Sequence, residues 1–222
     1  MRVAFAVAAM AALLLSGCAS APHRVTVAQA ALDGSGLAWT RSDLAPVTSG
    51  WFGAGLVETD YTFSPANEPP YAGLLQLFGL RDDMQHSTTE LLALARSSVE
   101  NATAANGIEV EGAATEGSRT LRNGLATRWF TLEGTVVDAS GLFSRETRVR
   151  ILGETGYDAA SKTHVVAVAI AQVDATTCPP IVGPCTTRTD LTTWTSLVGD
   201  TRGTISNAKS SHGLIDNLVS HD

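Results

Sequence analysis

Lysine is almost absent from this 222-residue chain: Lys162 and Lys209 are the only two. That leaves no polybasic patch of the kind that reads anionic lipid. The net charge of −7 adds to this and excludes nucleic-acid binding as a main task. Long apolar runs are missing as well. The longest, Val3–Leu15, has thirteen residues, and crossing a bilayer as a helix takes about 20. Cysteine is limited to three residues, too few for a disulfide framework. The chain also lacks G-x-G-x-x-G, P-loop, H-E-x-x-H and G-x-S-x-G motifs, so no nucleotide, zinc-protease or serine-hydrolase fingerprint is available.

What is present starts at the N-terminus. Arg2 places a positive charge before the apolar run, and the run has the length of a signal-peptide core. It ends in Leu15-Ser16-Gly17-Cys18. This tetrapeptide resembles the bacterial lipoprotein box: an aliphatic residue, two small residues, then cysteine. The resemblance implies a diacylglyceryl group on the Cys18 sulfur and a cut between Gly17 and Cys18. Residues 1–17 are then a signal peptide, and the mature protein is held to a membrane of the cell envelope, facing the periplasm or the cell exterior. Two acyl chains hold a protein stably without a transmembrane helix. Ala19, rather than Asp, after the cysteine implies the outer membrane if the host is Gram-negative. The competing reading is an ordinary signal peptide with a chance cysteine.

After removal of residues 1–17, 205 residues remain, with 14 basic against 22 acidic side chains. That length suits one domain with a sizeable core. Residues 18–50 carry scattered Ala, Ser, Thr and Gly and are expected to be the lipidated N-terminus and a tether. Residues 51–207 are expected to be the folded domain, and 208–222 a C-terminal tail. His23 falls in the tether, and His212 and His221 in the tail.

Within the domain, Leu56, Glu58, Asp60 and Thr62 alternate with Val57, Thr59, Tyr61 and Phe63, a strand with one face in the core. "YAGLLQLFGL", 71–80, supplies a second strand and completes a hairpin. Ser87 and Glu90 form a capping box, followed by Leu91, Leu92, Ala95, Val99 and Ala102 at helical spacing. Asn106-Gly107 stops that helix. Asn123-Gly124 between apolar residues marks a second hairpin. Residues 125–137, 145–154 and 163–173 read as further strands, the last apolar enough for the middle of a sheet. Asp190 starts a second helix bearing Leu191, Trp194, Leu197 and Val198. Leu214, Ile215, Leu218 and Val219 form a last apolar patch. Helices against an antiparallel sheet make an α+β fold.

The order of these elements resembles the PsbP/Mog1-like domain, on "DYTFSP", "ELLALARSSVENATAANGIEV", "RTLRNGLATRWFTLEG" and "THVVAVAIA". The likeness runs over residues 55–205. It implies an antiparallel sheet packed with helices, and a binding or assembly accessory rather than an enzyme.

Cys178 and Cys185 enclose "PPIVGP". Two cysteines in an exported protein are expected to pair as a structural disulfide, in preference to a redox or metal site, worth about 2.5 kcal/mol for so short a loop. Arg148, Arg150 and His164 are candidates for a pocket that takes an anionic ligand, against the plainer reading of a solvated sheet face. Trp51-Phe52 is expected to be an exposed aromatic pair at the domain entrance and a candidate for binding an apolar or sugar ligand, while Trp129 and Trp194 are expected in the core. His86 near Asp82 and Asp83 has the composition of a metal cluster, but these residues are read as a polar turn before a capped helix, where acidic residues are commonplace. No metal, cofactor or catalytic residue is assigned. The expected function is a membrane-anchored, non-enzymatic binding or assembly accessory for an envelope protein or a small apolar ligand. The alternatives are an envelope hydrolase using His164 or His86, and a structural envelope component.

Overall fold

A computed structural model of the chain describes residues 23–45, 56–65, 73–81, 87–105, 107–138, 144–179, 183–199 and 213–221. In chain order the elements are β1 (Arg24–Val27), α1 (Gln29–Gly34), β2 (Leu37–Asp43), β3 (Leu56–Pro65), β4 (Gly73–Arg81), α2 (Thr88–Ala105) and β5 (Ile108–Thr120). Then follow β6 (Ala126–Asp138), β7 (Ser144–Asp158), β8 (Thr163–Cys178), β9 (Thr186–Thr189), α3 (Thr192–Val198), a 3-10 turn (Leu214–Asn217) and β10 (Leu218–His221). The fold is α+β and dominated by its antiparallel sheet.

The main sheet runs β2-β3-β4-β8-β7-β6-β5, with β9 added beside the far end of β8. β8 lies between β4 and β7, and its composition explains why. Val166, Val168 and Ile170 face one core, while Val165, Ala167, Ala169 and Ala171 face the other. A strand covered on both faces needs apolar residues at every position. The alanines also keep one face shallow, and α3 packs there.

Helix α2 covers the first face. The Ser87 backbone amide donates to the Glu90 carboxylate at 2.8 Å, and the Glu90 amide donates to the Ser87 hydroxyl at 3.2 Å, the capping box expected from the sequence. Leu92, Ala95 and Val99 then pack on Phe130, Leu132, Ile151 and Val168. The opposite face carries a second layer of α1, α3, the 3-10 turn and a two-stranded ribbon of β1 with β10. Trp129 and Trp194 are buried there.

Two boundaries differ from the sequence expectation. Residues 24–43, read as part of a tether, form β1, α1 and β2, and Val25, Val27, Leu32 and Leu37 are core residues. Residues 214–221, read as a tail, form the 3-10 turn and β10, with Leu214, Ile215 and Leu218 buried. The reason is a long-range pairing. Arg24 lies opposite His221 and Val27 opposite Leu218, so each short strand supplies the partner that the other lacks locally. His23, at the head of this ribbon, is 2% exposed.

The β5–β6 hairpin is present, with a turn different from the two-residue type that Asn-Gly favours. The Gly124 amide donates to the Leu121 carbonyl and the Leu121 amide to the Leu125 carbonyl, both at 2.9 Å. Gly124 has φ +87° while Asn123 does not enter the left-handed region. This is a three-residue loop closed by a glycine bulge. Cys178 and Cys185 are joined as a disulfide at the end of the sheet remote from this hairpin.

Candidate functional site

Two groupings of polar side chains stand out among the described residues. The first lies on the α2 face of β3. Period-two alternation places Glu58 and Asp60 on one face, and Gln76 of β4 lies directly opposite Asp60. Gln76 is buried, and its amide nitrogen donates to Glu58 Oε1 at 3.0 Å and to Asp60 Oδ1 at 3.2 Å. Its neighbours on that face are Leu74 and Phe78. Desolvation by this apolar setting, then the charge of Asp60 and a hydrogen bond to it, push the Glu58 carboxyl up to about 7. Asp60 is raised as well, by burial, against the opposing hydrogen bonds from Gln76 and Glu58. The pair therefore holds its protons to higher pH than free carboxylates do.

This arrangement sets a sign for the pH dependence of stability. Above pH 4.5 the unfolded Glu58 releases its proton, while the folded one keeps it until about pH 7. The folded state then binds more protons, so stability falls as pH rises through that window and levels off above it. Glu58 is half-buried, and after solvent screening the effect is about 1–2 kcal/mol. Glu58→Gln keeps an acceptor for Gln76 and removes the charge. It is expected to raise stability at pH 8 by that amount and to flatten the urea-midpoint profile between pH 4.5 and 7. An unchanged profile would show that the carboxyl titrates as it does in water.

The second grouping surrounds a cleft of about 830 Å³ at one end of the sheet. Its walls come from the β5–β6 turn, the β7–β8 turn and β10, and they include His23, Asn123, Leu125, Asp158, Val165 and Leu218. The turn residues are fixed by local bonds. Asp158 accepts from the Ala160 amide at 3.0 Å and the Ser161 hydroxyl at 2.6 Å, and Lys162 takes φ +52° to close the turn. The Ser161 bond holds the Asp158 carboxyl below its ordinary value against desolvation, with help from the backbone amides and His23. The cleft thus has one fixed anionic group in a lining of mixed polar and apolar character, in the size range of small-molecule sites. A smaller hollow of about 460 Å³ lies between α1 and α3.

The sequence candidates are dispersed. His164 shares its face of β8 with Val166 and Val168, and its ring lies 4.6 Å from that of Tyr157. Arg150 is opposite Ala171 and points to the other face, seven positions along β8 from His164, or about 23 Å. Arg148 and Arg150 both donate to the Glu133 carboxylate at 2.8 Å, and Asp174 lies 3.6 Å from Arg148. The expected anion pocket of Arg148, Arg150 and His164 is therefore not assembled, and the charge of the two arginines is balanced by acids beside them. Trp51, Phe52, His86, Asp82 and Asp83 lie outside the described residues.

Sequence reading missed Gln76 and the cleft. A lone glutamine inside "LLQLFGL", opposite two acids on one strand face, was the available signal for the first. The cleft had none, because its walls come from two turns and the last strand. Among the described residues no group of three His, Cys, Asp or Glu side chains is placed to hold a metal ion. Compared with family models, curated proteins and solved structures, the chain matches none.

Proposed function

We propose that this chain is a lipid-anchored cell-envelope protein, fixed to its membrane through Cys18, that binds a small apolar ligand in the cleft walled by His23, Leu125, Val165 and Leu218. The observation that carries the anchor is the coincidence of Arg2, the apolar run and Leu15-Ser16-Gly17-Cys18, ahead of a fold that begins at β1. The support for binding is the size and mixed lining of the cleft. The order β3 to α3 is the support for a PsbP/Mog1-like arrangement. A hydrolase built on His164 is disfavoured, because that residue is 3% exposed and its ring packs at a tilt of 43° against Tyr157.

Mass analysis of the protein purified from membranes tests the anchor. A diacylglyceryl group on Cys18 is expected, together with loss of Cys18→Ser from the membrane fraction; a bare thiol or an uncut leader refutes it. N-phenyl-1-naphthylamine, which fluoresces in apolar sites, tests the cleft. Saturable binding is expected to weaken about tenfold in Val219→Glu, which puts a charge on the rim. Equal binding by the two proteins refutes the cleft as the site.

A further inference from the structure

Cys18 precedes His23 by only five residues, and a chain extends at most about 3.6 Å per residue, about 18 Å over this stretch. His23 heads β1 and lines the cleft. A membrane holding Cys18 therefore lies within that reach of the cleft end of the domain. Two large side chains on the cleft, Tyr157 and Val219, are each 38% exposed. Tyrosine is at home at headgroup depth.

We infer that the cleft end of the domain, with Tyr157 and Val219 at its rim, docks directly on the phospholipid surface and opens the cleft toward it. This rests on the lipid-anchor reading and deepens it by fixing the orientation of the domain. β8 has 16 residues, about 50 Å of strand, so the Cys178–Cys185 loop at its other end is held away from the bilayer.

The test uses the full mature protein, with lipid on Cys18 verified by mass, in vesicles of phosphatidylethanolamine and phosphatidylglycerol. Spin labels are placed singly on Val219→Cys, on Ala160→Cys in the exposed β7–β8 turn, and on Val137→Cys. Val137 is 61% exposed at the other end of β6. Oxygen, which partitions into bilayers, and a water-soluble nickel chelate serve as relaxation probes. The ratio of oxygen to nickel accessibility is expected to be several-fold higher at positions 219 and 160 than at 137. Ala160 reports even if the change at Val219 disturbs β10. With the lipid present and equal ratios at both ends, docking is overturned and the anchor stands. A bare Cys18 thiol overturns both.

Discussion

Arg119→Ala is expected to cost about 3–5 kcal/mol of stability, the range for breaking a buried ion pair by removing one partner. Glu154 is 1% exposed in the middle of β7. Arg119 of β5 reaches across β6 to it, with Nε donating at 2.7 Å and Nη2 at 2.6 Å to its two oxygens. The Thr127 hydroxyl donates to the same carboxylate at 2.5 Å, and Asp216 of the 3-10 turn lies 3.7 Å from Arg119 Nη1. Burial alone would lower the Arg119 pKa, but the Glu154 bonds and the charges of Glu154 and Asp216 prevail and it ends raised. The guanidinium thus stays charged at any working pH. Without it, Glu154 keeps a single hydroxyl donor in an apolar setting. The urea midpoint of the mature protein reads the loss. Arg119→Met combined with Glu154→Leu is expected to recover most of it, since apolar replacements remove both desolvation penalties together. A single variant that unfolds at the parent's midpoint would mean that the pair is not buried in solution.

Trp194→Ala is expected to cost a similar 3–5 kcal/mol, with a different spatial pattern. α3 has seven residues, too few to be helical on its own. It is held by Trp194, Leu197 and Val198, all at most 2% exposed. It lies where β8 presents alanines and β4 presents Gly73, whose absent Cβ would collide with Thr193. α3 also packs on the 3-10 turn that leads into β10. Loosening it frees β10 and then β1. Amide exchange is therefore expected to accelerate first in β1 and β10, with β6, β7 and β8 protected until global unfolding. Uniform loss of protection would show that the second layer is not a separate unit.

Much of the fold was readable wherever the determining signal was local. The Ser87–Glu90 box, the Asn123-Gly124 turn and the apolar run of β8 each carry their instruction within a few residues, and all three are present. β1 and β10 carry no such instruction. Each has four residues, and its pairing depends on a partner at the opposite end of the chain. A strand that short looks like coil until its partner is known. The same limit applies to sites. Glu58 and Asp60 were visible as neighbours on one strand face, yet their raised titration comes first from desolvation, in a setting that Leu74 and Phe78 across the hairpin help to make apolar. Arg119 and Glu154 are 35 positions apart, and nothing in either segment marks them as partners. The expectation for Arg148, Arg150 and His164 failed because strand register decides which charges meet, and register brought Glu133 to both arginines.

The first residue of β1 has a mechanical consequence. Arg24 donates to the Glu58 carbonyl and the Thr59 hydroxyl at 2.9 Å and to the Leu44 carbonyl at 3.1 Å, and it lies 3.2 Å from Asp43. Tension arriving from the N-terminal side meets this mooring before it meets the short ladder between β1 and β10. The load passes into β2 and β3, so unzipping the ribbon first requires tearing one side chain from two neighbouring strands.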